Sequence, residues 1–134
     1  MSGQRALSRP GGASLVVTFF YYRDLGRACW FYEDVLGLEL AIDQGWSKIY
    51  RIAEGAHVGL VDETKGFHKS EPVKQVQLAL RVDDVDAWYD WIRGRGVSGL
   101  SEMFEAETIG IRAFVFDDPE GYQIEIQTPT RKGA

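Results

Sequence analysis

The chain has 134 residues, 45% hydrophobic and 26% charged, a balance that fits one globular domain and excludes a disordered or low-complexity protein. Its formal net charge of −5 excludes the basic footprint of a nucleic-acid binder. No run is apolar and long enough for a signal peptide or membrane span, so neither membrane nor nucleic acid is an expected partner. The single cysteine, Cys29, offers no internal disulfide, and a cytoplasmic location is expected.

Residues 1–14, MSGQRALSRPGGAS, read as a flexible tail. SLVVTFFYY then reads as a strand, followed by a turn at Arg23-Asp24. Apolar Leu25, Ala28, Phe31, Tyr32 and Val35 recur at helical spacing until Gly37. Asp24 stands where a short carboxylate caps the first free N–H groups, and Cys29 falls inside the helix as a core residue. Three β-like runs follow, 39–42, 48–52 and 57–61. The polar stretch ETKGFHKSEPV, 63–73, is a linker.

The plan then repeats. VKQVQLALRV is a strand and Asp84 a cap, sixty residues after Asp24. Val85, Trp88, Tyr89 and Ile92 mark a helix that stops near Gly94 or Gly96. Trp88 fits its buried stripe, while Trp91, like Trp30 in the first helix, lies nearer the edge. Strands are predicted over 98–103, 111–116 and 122–127, with Asp118-Pro119-Glu120-Gly121 as the turn before the last. Gly55–Leu60 aligns with Gly121–Ile126. The domain therefore spans 15–127 as two β-α-β-β-β modules, 15–62 and 74–127, with a C-terminal tail over 128–134. In the last strand Tyr122, Ile124 and Ile126 face one side while Gln123, Glu125 and Gln127 face the other.

With this duplicated plan, the segments RDLGRACWFYEDVLGLEL and FDDPEGYQIEIQ make the chain resemble the vicinal oxygen chelate superfamily. That group includes glyoxalase I, ring-cleaving dioxygenases, fosfomycin-modifying enzymes and bleomycin-binding resistance proteins. The resemblance implies an α+β fold of two βαβββ modules, a curved mixed-sheet cup with helices outside, and a homodimer. It also implies four ligand positions facing into the cup, which map here to Val17, Gly59, Gln77 and Glu125. Val17 and Gly59 carry no donor, so half the shell is missing. His57, two residues before Gly59, shares its strand face but is displaced by ~7 Å.

Alternation adds Phe19, Tyr21, Val61, Ala79, Arg81, Gln123 and Gln127 to the cup, and Trp46 in the DQGWSK turn is a rim aromatic. Arg81 is read either as a clamp for an anionic ligand group or as a neutraliser of Glu125. Tyr21 is read as packing or as a hydrogen-bond donor. Glu125 with His57 forms the candidate acid/base pair, and His68 in the linker reads as solvated.

The leading expectation is a small-molecule-binding protein with a degenerate metal site and no cofactor, holding an aromatic or cationic organic ligand through Phe19, Tyr21, Trp46, Gln77, Arg81, Gln123 and Gln127. The alternative is a metal-dependent lyase, isomerase or dioxygenase. Gln77, Glu125 and His57 would then hold Zn, Ni, Mn or Fe. A second alternative is a non-catalytic structural or interaction module.

Overall fold

The computed structural model describes residues 7–134. The first six residues of the predicted N-terminal tail lie outside the described residues, and residues 7–14 have no strand or helix. The first module runs β1 (Val16–Tyr22), α1 (Leu25–Trp30, continued by a π-helical turn, Phe31–Val35), β2 (Glu39–Asp43), β3 (Ser47–Ala53) and β4 (Ala56–Asp62). The second runs β5 (Gln77–Arg81), α2 (Val85–Arg93), β6 (Phe104–Ala106), β7 (Ile111–Asp117) and β8 (Gln123–Pro129). Each forms its own four-stranded sheet, in the orders β1-β4-β3-β2 and β5-β8-β7-β6. The first pair in each is parallel and the rest antiparallel, so the α+β duplication read from the sequence is the architecture.

Both caps form. Asp24 Oδ1 accepts from the Arg27 N–H at 3.1 Å and Asp84 Oδ1 from the Ala87 N–H at 3.0 Å, satisfying donors a helix start leaves open. The first helix departs from the α-helix predicted up to Gly37. Its last turn widens to an i→i+5 pattern, with the Leu36 N–H donating to the Phe31 carbonyl at 3.0 Å. Phe31, Tyr32 and Val35 are all buried along that turn, and Gly37, at φ +70°, ends it.

The strand predicted over 98–103 is also revised. Only Ser98 bridges Asp117, because Gly99 turns the chain into the left-handed region at φ +68°. A Cβ there would lie 2.4 Å from Asp117 Oδ2. The ladder resumes three residues long, at Phe104–Ala106.

Side-chain alternation sends Phe20, Tyr22, Val58 and Leu60 of the first sheet into one core with Leu80, Phe114, Phe116, Ile124 and Ile126 of the second. The helices supply Phe31, Tyr32, Val85 and Ile92 to the same cluster. The modules meet through stacked Phe20 and Tyr122 rings, 4.2 Å between centroids. Trp91 Nε1 adds a bond to the Val35 carbonyl at 2.8 Å. Each fully buried aromatic or aliphatic side chain contributes about 1.5–3 kcal/mol, so this continuous core makes the modules one unit. Cys29 packs against it half-buried, and burial pushes its thiol pKa up. No helix among the described residues is long and apolar enough to cross a membrane.

The odd-numbered faces are left for something else. Phe19, Gln77, Ala79 and Arg81 are exposed there, while Ile49, Val61 and Ala113 are buried without belonging to the shared core.

Candidate functional site

The register makes the two odd faces equivalent. Val17 pairs with His57, Phe19 with Gly59 and Tyr21 with Val61. In the second sheet Gln77 pairs with Gln123, Ala79 with Glu125 and Arg81 with Gln127. The Phe19–Gly59 and Ala79–Glu125 pairs exchange large for small. A Cβ on Gly59 would sit 2.4 Å from Phe19 Cδ1, so the Phe19 ring fills the place a side chain at 59 would take.

Above this floor the first sheet holds a cavity of about 420 Å³, walled by Phe19, Tyr21, Trp46 and Val61, with Gln44, Ser47, Lys65, Gly66 and Phe67 around it. Trp46 is positioned by its turn. The Gln44 N–H donates to the Ser47 carbonyl at 2.8 Å, and the Trp46 carbonyl accepts from the Asp62 N–H at 2.8 Å. Gly45 takes φ +81° at the bend. Lys48 pairs with Asp43 at 2.8 Å across the same hairpin.

The opposite wall comes from the segment after β4. The Lys65 and Gly66 N–H groups both donate to the Asp62 carbonyl, at 3.0 and 3.1 Å. A Cβ on Gly66 would meet Val61 Cγ1 at 2.6 Å and Tyr21 Cε1 at 2.9 Å, so bare backbone lies against the cavity wall. His68 is exposed and meets the Tyr21 ring edge-on at 5.1 Å. Ser47, 2% exposed, has an Oγ with no hydrogen-bond partner, as does the buried Nδ1 of His57. A buried polar atom left unpaired costs about 1–3 kcal/mol.

The second sheet's odd face satisfies itself. Gln77 Nε2 donates to Gln123 Oε1 at 2.6 Å, Arg81 Nε to Gln127 Oε1 at 3.0 Å, and Gln127 Nε2 to Glu125 Oε1 at 2.5 Å. Of the two expectations for Arg81, neutralising Glu125 is not what the geometry holds. Its guanidinium reaches Gln127 and the Ala134 carbonyl. A more polar cavity of about 430 Å³ is lined by Gln77 and Gln123 together with Lys74 and Asp117. His57 and Glu125, on different sheets, line neither this cavity nor the aromatic one.

The donors of one chain do not fit a divalent ion. Val17 and Gly59 offer none, Gln77 is engaged with Gln123, and among the described residues no three His, Cys, Asp or Glu side chains converge. An open catalytic metal site generally needs three protein ligands.

A family model described as the Glyoxalase/Bleomycin resistance protein/Dioxygenase superfamily matches residues 14–126. The chain belongs to this superfamily. It is 27% identical over 113 residues to the uncharacterised YraH protein of Bacillus subtilis (strain 168), covering 77% of this chain and 88% of that one. Among solved structures, a lactoylglutathione lyase from Agrobacterium tumefaciens superposes with a TM-score of 0.71 at 22% identity, over 94% of this chain and 100% of that one. A glyoxalase/bleomycin resistance protein/dioxygenase from Nocardioides gives 0.73 at 19% identity, over 96% and 89%. These structural likenesses carry the superfamily fold. The cavity that the fold presents here is built partly from Ser47, Lys65, Gly66 and Phe67, which strand alternation in the sequence did not single out as site residues.

Proposed function

We propose that the protein binds a small aromatic molecule in the cavity on its first sheet and does so without metal. The observation that carries this reading is the cavity itself. Its volume of about 420 Å³ lies within the range of organic-ligand sites, and a mostly apolar wall with a few polar groups is what such sites use for contact and direction. Phe19 and Trp46, 43% and 46% exposed, offer ring faces for stacking. Of the residues expected to contact ligand, Phe19, Tyr21 and Trp46 form this binding surface. Gln77, Arg81, Gln123 and Gln127 form a separate polar face on the second sheet.

The assembly is a homodimer in this reading. The open odd faces, with Val16 61% and Val76 42% exposed beside them, suit closure by a second copy with two-fold symmetry. Light scattering during size-exclusion chromatography should return twice the chain mass.

Titration calorimetry with 2-naphthol, comparing the unmodified protein with Trp46→Ala, tests the binding reading. Saturable one-to-one heat, with affinity reduced by about tenfold in the variant, is the expected outcome, since loss of a stacking aromatic contributes on the order of 1 kcal/mol or more. Affinity unchanged in Trp46→Ala would place the ligand elsewhere.

A further inference from the structure

We infer that the ligand of the first-sheet cavity is an aromatic acid: a planar ring held by Phe19, Tyr21 and Trp46, with a carboxylate or similarly acidic oxygen group directed to Lys65 and Ser47. This rests on the binding reading above and narrows its chemistry, favouring an anionic ligand over the cationic one that overall acidity suggested.

Lys65 is the charged side chain lining the cavity, and among the described residues its ammonium forms no ion pair within 4.0 Å. No carboxylate lines the cavity. The nearby Asp62 carboxylate, which does not line the cavity, takes the Thr64 N–H at 2.9 Å and the Thr64 hydroxyl at 2.8 Å on Oδ1; those bonds, and after them the Lys65 charge, hold its pKa below the ordinary value. A cationic ligand would meet Lys65 and no lining carboxylate, whereas an anion would gain a charge-assisted hydrogen bond.

Ser47 supplies the second polar handle. It pairs with Val61 across β3 and β4, so it projects on the cavity face. Its Oγ is buried without a partner, and an acid oxygen would accept from it. The Gln44 amide borders the same cavity. Ser47 is held by the sheet, and Lys65 is anchored at its backbone by the N–H bond to the Asp62 carbonyl at 3.0 Å, leaving its exposed side chain free to turn to a ligand.

Three probes of one shape and different charge test the inference by calorimetry: 2-naphthoate, 2-naphthamide and 2-naphthylmethylammonium. The expected order is naphthoate tightest and the ammonium weakest. Lys65→Met should weaken naphthoate by about tenfold, the value of a charge-assisted hydrogen bond, and leave naphthamide within about twofold. Ser47→Ala should weaken both acceptor-bearing probes. Equal binding of all three probes, or naphthoate affinity unmoved by Lys65→Met, overturns the charge assignment while leaving the binding reading in place. Failure of every probe, together with failure of neutral 2-naphthol, overturns the binding reading and this inference with it.

Discussion

Tyr22 and Asp118, 96 residues apart in the chain, meet with hydroxyl and carboxylate 2.5 Å apart in the buried core. The bond ties the first module's opening strand to the turn that launches the second module's last strand. Asp118 Oδ2 also accepts from the Tyr32 hydroxyl at 3.0 Å, and Oδ1 from the Glu120 and Tyr122 N–H groups at 2.9 and 3.0 Å. Four donors thus converge on one carboxylate. Burial pushes Asp118 above its ordinary pKa, and burial likewise pushes both tyrosines well up, which keeps their hydroxyls protonated as donors.

Replacing Asp118 by Asn should therefore destabilise the fold, although it removes a buried charge. One edge of the amide is an NH2 group: on the Oδ1 side it would face two backbone N–H donors, and on the Oδ2 side it is accommodated only if the Tyr22 and Tyr32 hydroxyls turn to accept and give up the bonds they donate. The expected loss is about 2–3 kcal/mol, against about 1 kcal/mol for Tyr22→Phe, which removes a single donor. Urea unfolding checks the order of the two variants. An Asp118→Asn variant as stable as the unmodified chain would mean that the network does not hold the modules together.

Glu120, two residues on, gives the opposite pH response. Burial opposes its ionisation, yet the Arg23 and Asp24 N–H groups and the Ser70 hydroxyl hold its pKa below the ordinary 4.5. A lowered folded-state pKa contributes stability that is present above 4.5 and lost as pH falls through the folded value. Asp118, raised from 3.8, has its contribution fully present below that value and loses it as pH climbs through the folded pKa. Glu120→Gln should cost about 1 kcal/mol at pH ~7, allowing for its partial exposure. The difference from the unmodified protein should close as pH drops below 4.5. Thermal melts across the acid range read this directly, and a difference constant with pH would remove Glu120's charge from the account.

The Phe19–Gly59 contact yields a coupled pair. A methyl at 59 would lie 2.4 and 2.5 Å from two Phe19 ring carbons, and the half-exposed ring must swing away to admit it. Gly59→Ala should cost about 1–3 kcal/mol as an overpacking substitution and weaken aromatic ligands by altering the cavity floor. Adding Phe19→Ala should recover part of that stability, giving a non-additive double-mutant cycle. Additive stabilities would show that the ring and the strand do not press on each other.

What the sequence made legible was whatever repeats at short period. Alternation in QIEIQ and FFYY assigned faces correctly, and the internal match of Gly55–Leu60 with Gly121–Ile126 corresponds to equivalent register in the two sheets. The capping aspartates were readable because a cap is local chemistry. The cavity was less so. Ser47 faces it only because β3 pairs with β4 in one particular register, and Lys65 and Gly66 reach it because the chain after β4 folds back onto Val61 and Tyr21. Periodicity says nothing of where a connection turns. The Asp118 cluster was hidden for the same reason, since its tyrosines come from the other module. Gly99 misled the strand assignment over 98–103 because nothing in the local pattern shows that it takes a positive φ there, with the Asp117 carboxylate standing where a Cβ would lie.

Glu125 stands apart from the aromatic cavity. Its carboxylate accepts from Gln127 on its own strand at 2.5 Å. Glu125→Ala should therefore leave the affinity for an aromatic probe within about twofold, and prior treatment with a chelator should leave it unchanged, because no donor set in one chain satisfies a divalent ion. Elemental analysis per chain, before and after offering Zn, Mn, Ni and Fe, completes the test. A stoichiometric metal lost in both Glu125→Ala and His57→Ala would reverse the reading, because it would join two side chains that lie on different sheets and belong to no converging donor set among the described residues.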